Sequence, residues 1–146
     1  MAYKRGNSMP TVQKSIRIPE DILEEIAELA KDSKKDFTTI TTELLEEAVR
    51  AHRCPGIIFT EGVSGKRARI AGTGIEVWEV IATYKGVGKD LKRLSKAYHW
   101  LTEQQIKSAI GYYNLYAKEI DSLIDENEGW TSDRIKKKYP FLSMGR

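Results

Sequence analysis

The segment TVQKSIRIPEDI, residues 11–22, limits what this chain can become. Val12, Ile16 and Ile18 fall on one side of an extended segment, and Gln13, Ser15 and Arg17 on the other. Pro19 closes the strand, and Glu20 and Asp21 open a helix. A lone strand leaves its backbone N–H and C=O groups unpaired, which is costly once they are shielded from water. Nothing within 30 residues of Thr11 reads as a partner strand. The nearest match is the same strand in a second copy, paired antiparallel about a two-fold axis.

Two helices follow. Over residues 20–32, Ile22, Ile26, Leu29 and Ala30 share a face opposite Glu24, Glu25 and Glu28. After the connector SKKDF, a second helix starts at Thr38 or Thr39 and runs to His52, with Ile40, Leu44, Ala48 and Val49 as its stripe. Asp36, Thr38, Thr39, Thr41 and Thr42 are all candidates to cap it. Pro55 and Gly56 end it and mark a boundary.

In the paired arrangement, the Val12, Ile16, Ile18 face covers the four helices of a dimer. The Gln13, Ser15, Arg17 face is left outward on a two-stranded ribbon, whose width fits the major groove of B-DNA. Arginine can bridge guanine O6 and N7, glutamine adenine N6 and N7, and serine can serve either. The start of the second helix supplies N–H groups and threonine hydroxyls for a phosphate. Charge agrees with this: residues 1–18 carry +4 with no acid, and residues 19–53 carry −5.

Strand, Pro-led helix, short turn and second helix over residues 11–52 resemble the ribbon-helix-helix repressors of the Arc, MetJ and CopG type. The resemblance implies that Gln13, Ser15 and Arg17 read bases. It also implies that the Thr38–Thr41 region clamps phosphate; Lys14, Thr38, Thr39 and Thr41 are the expected phosphate contacts. The family often has glycine in the turn, where this chain has Lys35-Asp36-Phe37.

The second half reads as two short β segments, GIIFTEG and RARIAG, then three helices: Glu76 to Tyr84, Lys89 to Tyr98, and one long helix of about 22 residues opened by the capping box Thr102-Glu103-Gln104-Gln105. The stripe Ile106, Ile110, Tyr113, Ala117, Ile120, Ile124 predicts that single long helix. CPGIIF, RARIAGTGIEVWEVI and LTEQQIKSAIGYY, within residues 54–120, resemble the small domain of unknown function found in VapB-like antitoxins. That resemblance implies a homeodomain-like three-helix core behind a β segment, and a PIN-like nuclease toxin as partner. Ala68 stands where relatives commonly have proline, and Gly74 where they commonly have arginine.

The last two helices would form a helix-turn-helix, with Lys89, Lys92, Arg93 and Lys96 as a phosphate footprint. Glu103, Gln104, Lys107, Ser108 and Tyr112 would be the exposed face of the reading helix. These groups are expected to meet either DNA or a protein partner. Trp78, Trp100 and Tyr112 to Tyr116 read as core or interface aromatics. In the polar last segment, Trp130, Arg134, Ile135, Tyr139, Phe141 and Leu142 are the expected anchors on the toxin.

The expected organisation is a basic arm over 1–10, a ribbon-helix-helix domain over 11–53, a homeodomain-like domain over 54–125 and a partner-binding tail over 126–146. The fold class is mainly α with short β segments. Gly62-Val63-Ser64-Gly65-Lys66 is no phosphate loop, because Thr60 and Arg67 stand where glycine and Ser/Thr are required. Two distant histidines and one cysteine give no metal-ligand spacing, and no nucleophile motif appears. No enzymatic activity, cofactor or metal is expected. No apolar run is long enough to cross a membrane, the first ten residues lack a signal-peptide core, and Cys54 is the sole cysteine, so a cytoplasmic location is expected. The expected function is a type II antitoxin that binds operator DNA as a homodimer or higher oligomer, represses its own gene and neutralises the nuclease. The alternative is a ribbon-helix-helix regulator without a toxin partner.

Overall fold

A computed structural model describes residues 10–62 and 65–138, with side chains described through Asn127. Among these residues the chain is mainly helical, with one two-stranded antiparallel hairpin. The order is α1 (Glu20–Ser33), α2 (Phe37–Arg53), β1 (Ile57–Gly62), β2 (Gly65–Ile70), α3 (Val77–Gly86), α4 (Leu91–Ala97), α5 (Glu103–Leu115) and α6 (Ala117–Lys138).

Residues 10–19 form neither helix nor a paired strand within the single chain. Pro19 precedes α1, and its carbonyl accepts the Leu23 N–H at 3.1 Å. α1 stops at Lys34, whose φ of 56° is left-handed. The Lys35 N–H then returns to the Ala30 carbonyl at 3.0 Å, the reverse turn that helices more often make with glycine. Asp36 is the cap of α2: its carboxylate accepts the Thr39 N–H at 2.7 Å. The two helices pack on each other, yet Ala30 and Ile40 are their only buried apolar residues among those described.

The main core lies in the second half. β1 and β2 pair in register Ile57↔Ile70, Phe59↔Ala68 and Thr60↔Arg67. Ile57, Ala68 and Ile70 are buried on one side of the hairpin, which packs on α3 and α5. Ile70, Val77, Val80, Ile81, Leu94, Tyr112 and Ile120 are fully buried, each aliphatic one contributing roughly 1.5–3 kcal/mol. Gly72, at φ 79°, turns the chain between β2 and α3. The Thr73 hydroxyl locks that turn by donating to the Ile70 carbonyl at 2.9 Å and accepting the Ile75 N–H at 3.1 Å. GTG is therefore a structural turn.

Three expectations change. The single long helix is two helices, because Tyr116 (φ −129°, ψ 44°) leaves the helical region between α5 and α6. Lys89 lies outside α4, in a left-handed turn at φ 60° that follows Gly88, and Asp90 caps the helix through the Lys92 and Arg93 N–H groups. Tyr112 is wholly buried, not exposed. The capping box at Thr102 is present: its hydroxyl accepts the Gln105 N–H at 3.1 Å and its own N–H reaches Gln105 Oε1 at 2.9 Å. No helix among the described residues is long and apolar enough to cross a membrane.

Candidate nucleic-acid interface

Gln13, Lys14, Ser15 and Arg17 are all exposed on the segment before α1. So are two of the three apolar residues of that segment, Val12 at 90% and Ile16 at 69%, while Ile18 is half-buried. Ile22, Leu23 and Leu29 of α1 and Leu45 and Val49 of α2 are also exposed. The first two helices thus present an apolar surface that their own hairpin does not cover. A stable single domain rarely leaves so much of its small core in water.

At the start of α2, Thr38 is exposed and Thr39 is half-buried. Thr41 is half-buried, and its hydroxyl is enclosed without a hydrogen-bond partner. Asp36 sets the electrostatics here. Its bond from the Thr39 N–H holds its carboxyl below the usual range, so the cap is an anion. That charge opposes a phosphate, and it occupies one of the free N–H groups that a helix start offers. Thr38 is the residue of the three best placed to meet a phosphate.

Behind the turn, Lys35 Nζ reaches both carboxylate oxygens of Glu43, at 3.1 and 2.8 Å. Glu43 is only 5% exposed, so this ion pair fixes the α1–α2 turn from beneath. The Glu43 hydrogen bond raises the Lys35 pKa. Lys66 of β2 pairs with Glu47 of α2.

A further cluster joins α2 to the second half, and it was not singled out in the sequence. Arg50 Nη1 donates to Tyr112 Oη and to Glu119 Oε1, both at 2.7 Å. Tyr112 Oη donates to Glu119 Oε2 at 2.6 Å, and the Arg50 guanidinium lies 4.1 Å from the centre of the Tyr116 ring. Burial, and then the Glu119 carboxylate, push the Tyr112 phenol far up. The group is a fixed donor to Glu119, not an acid in waiting. Cys54 lies next to this joint; its thiol is buried and its pKa raised by that burial, which makes it a poor nucleophile.

In the second half, Lys92, Arg93 and Lys96 are exposed on α4, and Lys89 is exposed before it. Gln104 and Lys107 are exposed on α5, where Lys107 pairs with Glu103 at 3.1 Å. Ser108 is half-buried, with its hydroxyl 3.0 Å from where a Cβ on Gly56 would stand. α4 and α5 each pack on α3. Trp100, beyond α4, is 58% exposed, with its ring edge-on to Tyr98 and His99. Trp78 is half-buried at the start of α3.

The expected toxin-binding residues Trp130, Arg134 and Ile135 lie on the backbone of α6 but beyond the described side chains, and Tyr139, Phe141 and Leu142 lie outside the described residues. No group of His, Cys, Asp and Glu that could hold a metal occurs among the described residues.

No curated protein and no solved structure matches the chain. Residues 57–113, from the start of β1 into α5, match the model of a protein family of unknown function, DUF433.

Proposed function

We propose that this chain is an operator-binding repressor that works as a homodimer and serves as the antitoxin to a PIN-like nuclease. The observation that carries the reading is the exposed apolar residues Val12, Ile16, Ile22, Leu23, Leu29, Leu45 and Val49, together with an extended segment that has no partner strand among the described residues. A second copy supplies both missing parts. The two segments hydrogen-bond antiparallel, Val12 and Ile16 turn onto the four helices, and Gln13, Ser15 and Arg17 face outward as a ribbon. Arg17 and Gln13 then meet base edges in the major groove, while Thr38 meets phosphate. This is the ribbon-helix-helix arrangement. The DUF433 region follows directly as a homeodomain-like unit, and the residues from Trp130 onward dock on the nuclease.

Ile16→Asp places a charge in the middle of the proposed interface and leaves the core of β1 to α6 untouched. Sedimentation should give a dimer for the native chain and a monomer for the variant. Footprinting upstream of the chain's own gene should find a protected site with two-fold symmetry, lost with Ile16→Asp. A native chain that sediments as a monomer refutes the reading. Co-purification with the product of the neighbouring gene tests the antitoxin role; absence of any nuclease-like partner leaves the alternative, a regulator without a toxin.

A further inference from the structure

α4 is short, and its charge is one-sided. Leu94 is fully buried against α3, so the opposite pole of the helix is set by Lys92 and Lys96, one turn apart, with Arg93 beside them. All three are exposed, and no ion pair to any of them occurs among the described residues. The acid within the turn, Asp90, is committed to the helix start through the Lys92 and Arg93 N–H groups, at 2.9 and 3.3 Å. Lys89 adds a fourth cation just before the helix, held in a left-handed turn. Like charges one turn apart repel each other; Asp121 lies near Lys89 and Asp90 near the helix start, but no carboxylate pairs with Lys92, Arg93 or Lys96 among the described residues.

We infer that this face of α4 is a second contact for double-stranded DNA, made to the phosphate backbone and independent of base sequence; the inference rests on the proposed DNA-binding role but uses different residues. The rise from Lys92 to Lys96 is about 6 Å. A DNA strand carries one phosphate per ~3.4 Å of axis, so the two lysines stand roughly two phosphate steps apart and can each take a different phosphate. Gln104 and Lys107, exposed on the first turns of α5, add polar donors to the same unit. The other anionic surface in view is α1 of a second copy, with Glu20, Asp21, Glu24, Glu25 and Glu28 exposed. Lys31 stands on that surface among the acids, so it is the poorer match to an all-cationic face.

The test measures binding of the full chain to a random-sequence duplex and to the fragment upstream of its own gene, across a salt series. Lys92→Ala/Arg93→Ala/Lys96→Ala changes only exposed side chains. It should lower the slope of log affinity against log salt on both duplexes by about 2.7 for each protomer whose α4 meets the duplex, from roughly 0.9 per phosphate contact. Gln13→Ala/Arg17→Ala should remove the preference for the upstream fragment and leave that part of the slope in place. An unchanged slope in the triple alanine variant overturns the inference. So does salt-dependent self-association without DNA that the triple variant abolishes while its DNA slope stays native; that result assigns the face to α1 of another copy. If the triple variant loses slope but Gln13→Ala/Arg17→Ala leaves fragment preference intact, the α4 contact stands and the ribbon reading falls.

Discussion

Replacing Arg50 with methionine tests how the first two helices are held to the rest of the chain. Methionine keeps most of the stem and removes the guanidinium. Glu119 then loses its 2.7 Å ion pair and keeps only the Tyr112 hydroxyl, at 2.6 Å. The Tyr116 ring loses the cation 4.1 Å from its centre. Removing one partner of a fully buried ion pair costs about 3–5 kcal/mol, because the other charge is stranded. Here the two side chains are 16% and 15% exposed, so water reaches the carboxylate in part. Discounted for that access, Arg50→Met should cost about 2–3 kcal/mol. Glu119→Gln removes the charge that would be stranded. The double variant should therefore be more stable than Arg50→Met alone, with a coupling energy of about 1–2 kcal/mol in a double-mutant cycle. Urea unfolding of all four proteins, followed by circular dichroism, gives each term, provided that the slope with denaturant is unchanged. A loss below about 0.5 kcal/mol for Arg50→Met, or strictly additive single variants, would mean that the joint is an exposed pair and does not hold α2 in place.

Lys34→Gly should stabilise the chain by up to about 1 kcal/mol, because Lys34 holds a φ of 56° that glycine adopts freely; a lower melting temperature would contradict this. Asp36 and Asp121 both have carboxyls held below the ordinary 3.8, the first by the Thr39 N–H and the second by Lys85 at 2.5 Å. Their contributions are present above pH 3.8 and fade as the pH falls through the depressed values, so Asp36→Asn, which still caps the helix, should lessen the acid sensitivity of a melting-temperature series. Lys85, raised mainly by its bond to Asp121, contributes the opposite way: its share is complete below pH 10.5 and is lost as the pH climbs beyond, and Lys85→Met should flatten the alkaline limb. Arg17→Ala should weaken binding by roughly 1–3 kcal/mol per contacted base pair and relax specificity there, as read by competition between duplexes.

Local signals in the sequence carried most of the helix boundaries. Pro19 before Glu20, and Thr102 three residues before Gln105, act within one turn of chain and appear in the fold as expected. The capping residue of α2 was ambiguous because five candidates crowd the turn; Asp36 wins by reaching the Thr39 N–H. The break at Tyr116 was hidden. Ile106 to Ile124 keep a helical apolar stripe straight across it, with no proline or glycine at the break. The groups gathered at the break include Arg50, whose bond to Tyr112 spans 62 positions of sequence, and no local pattern encodes such a contact. The same distance hid the Arg50 cluster itself. Glu43 reads as one more acid on a helix surface; only the turn at Lys34 brings Lys35 beneath it and makes burial tolerable. The ribbon residues were legible as a pattern, since alternation needs no tertiary contact to be seen.

The bend from α2 into β1 is only Cys54, Pro55 and Gly56 long, and each residue is constrained. Cys54 is buried, Pro55 has a fixed φ, and the Gly56 carbonyl accepts the Ala71 N–H at 2.9 Å. Gly56 sits at φ 91°, which strains any side chain, and a Cβ there would press on the Ser108 hydroxyl at 3.0 Å. Such a bend has few free torsions left. Together with the Arg50 bonds to Tyr112 and Glu119, it ties the direction of α2 to α5 and α6 at two separate points.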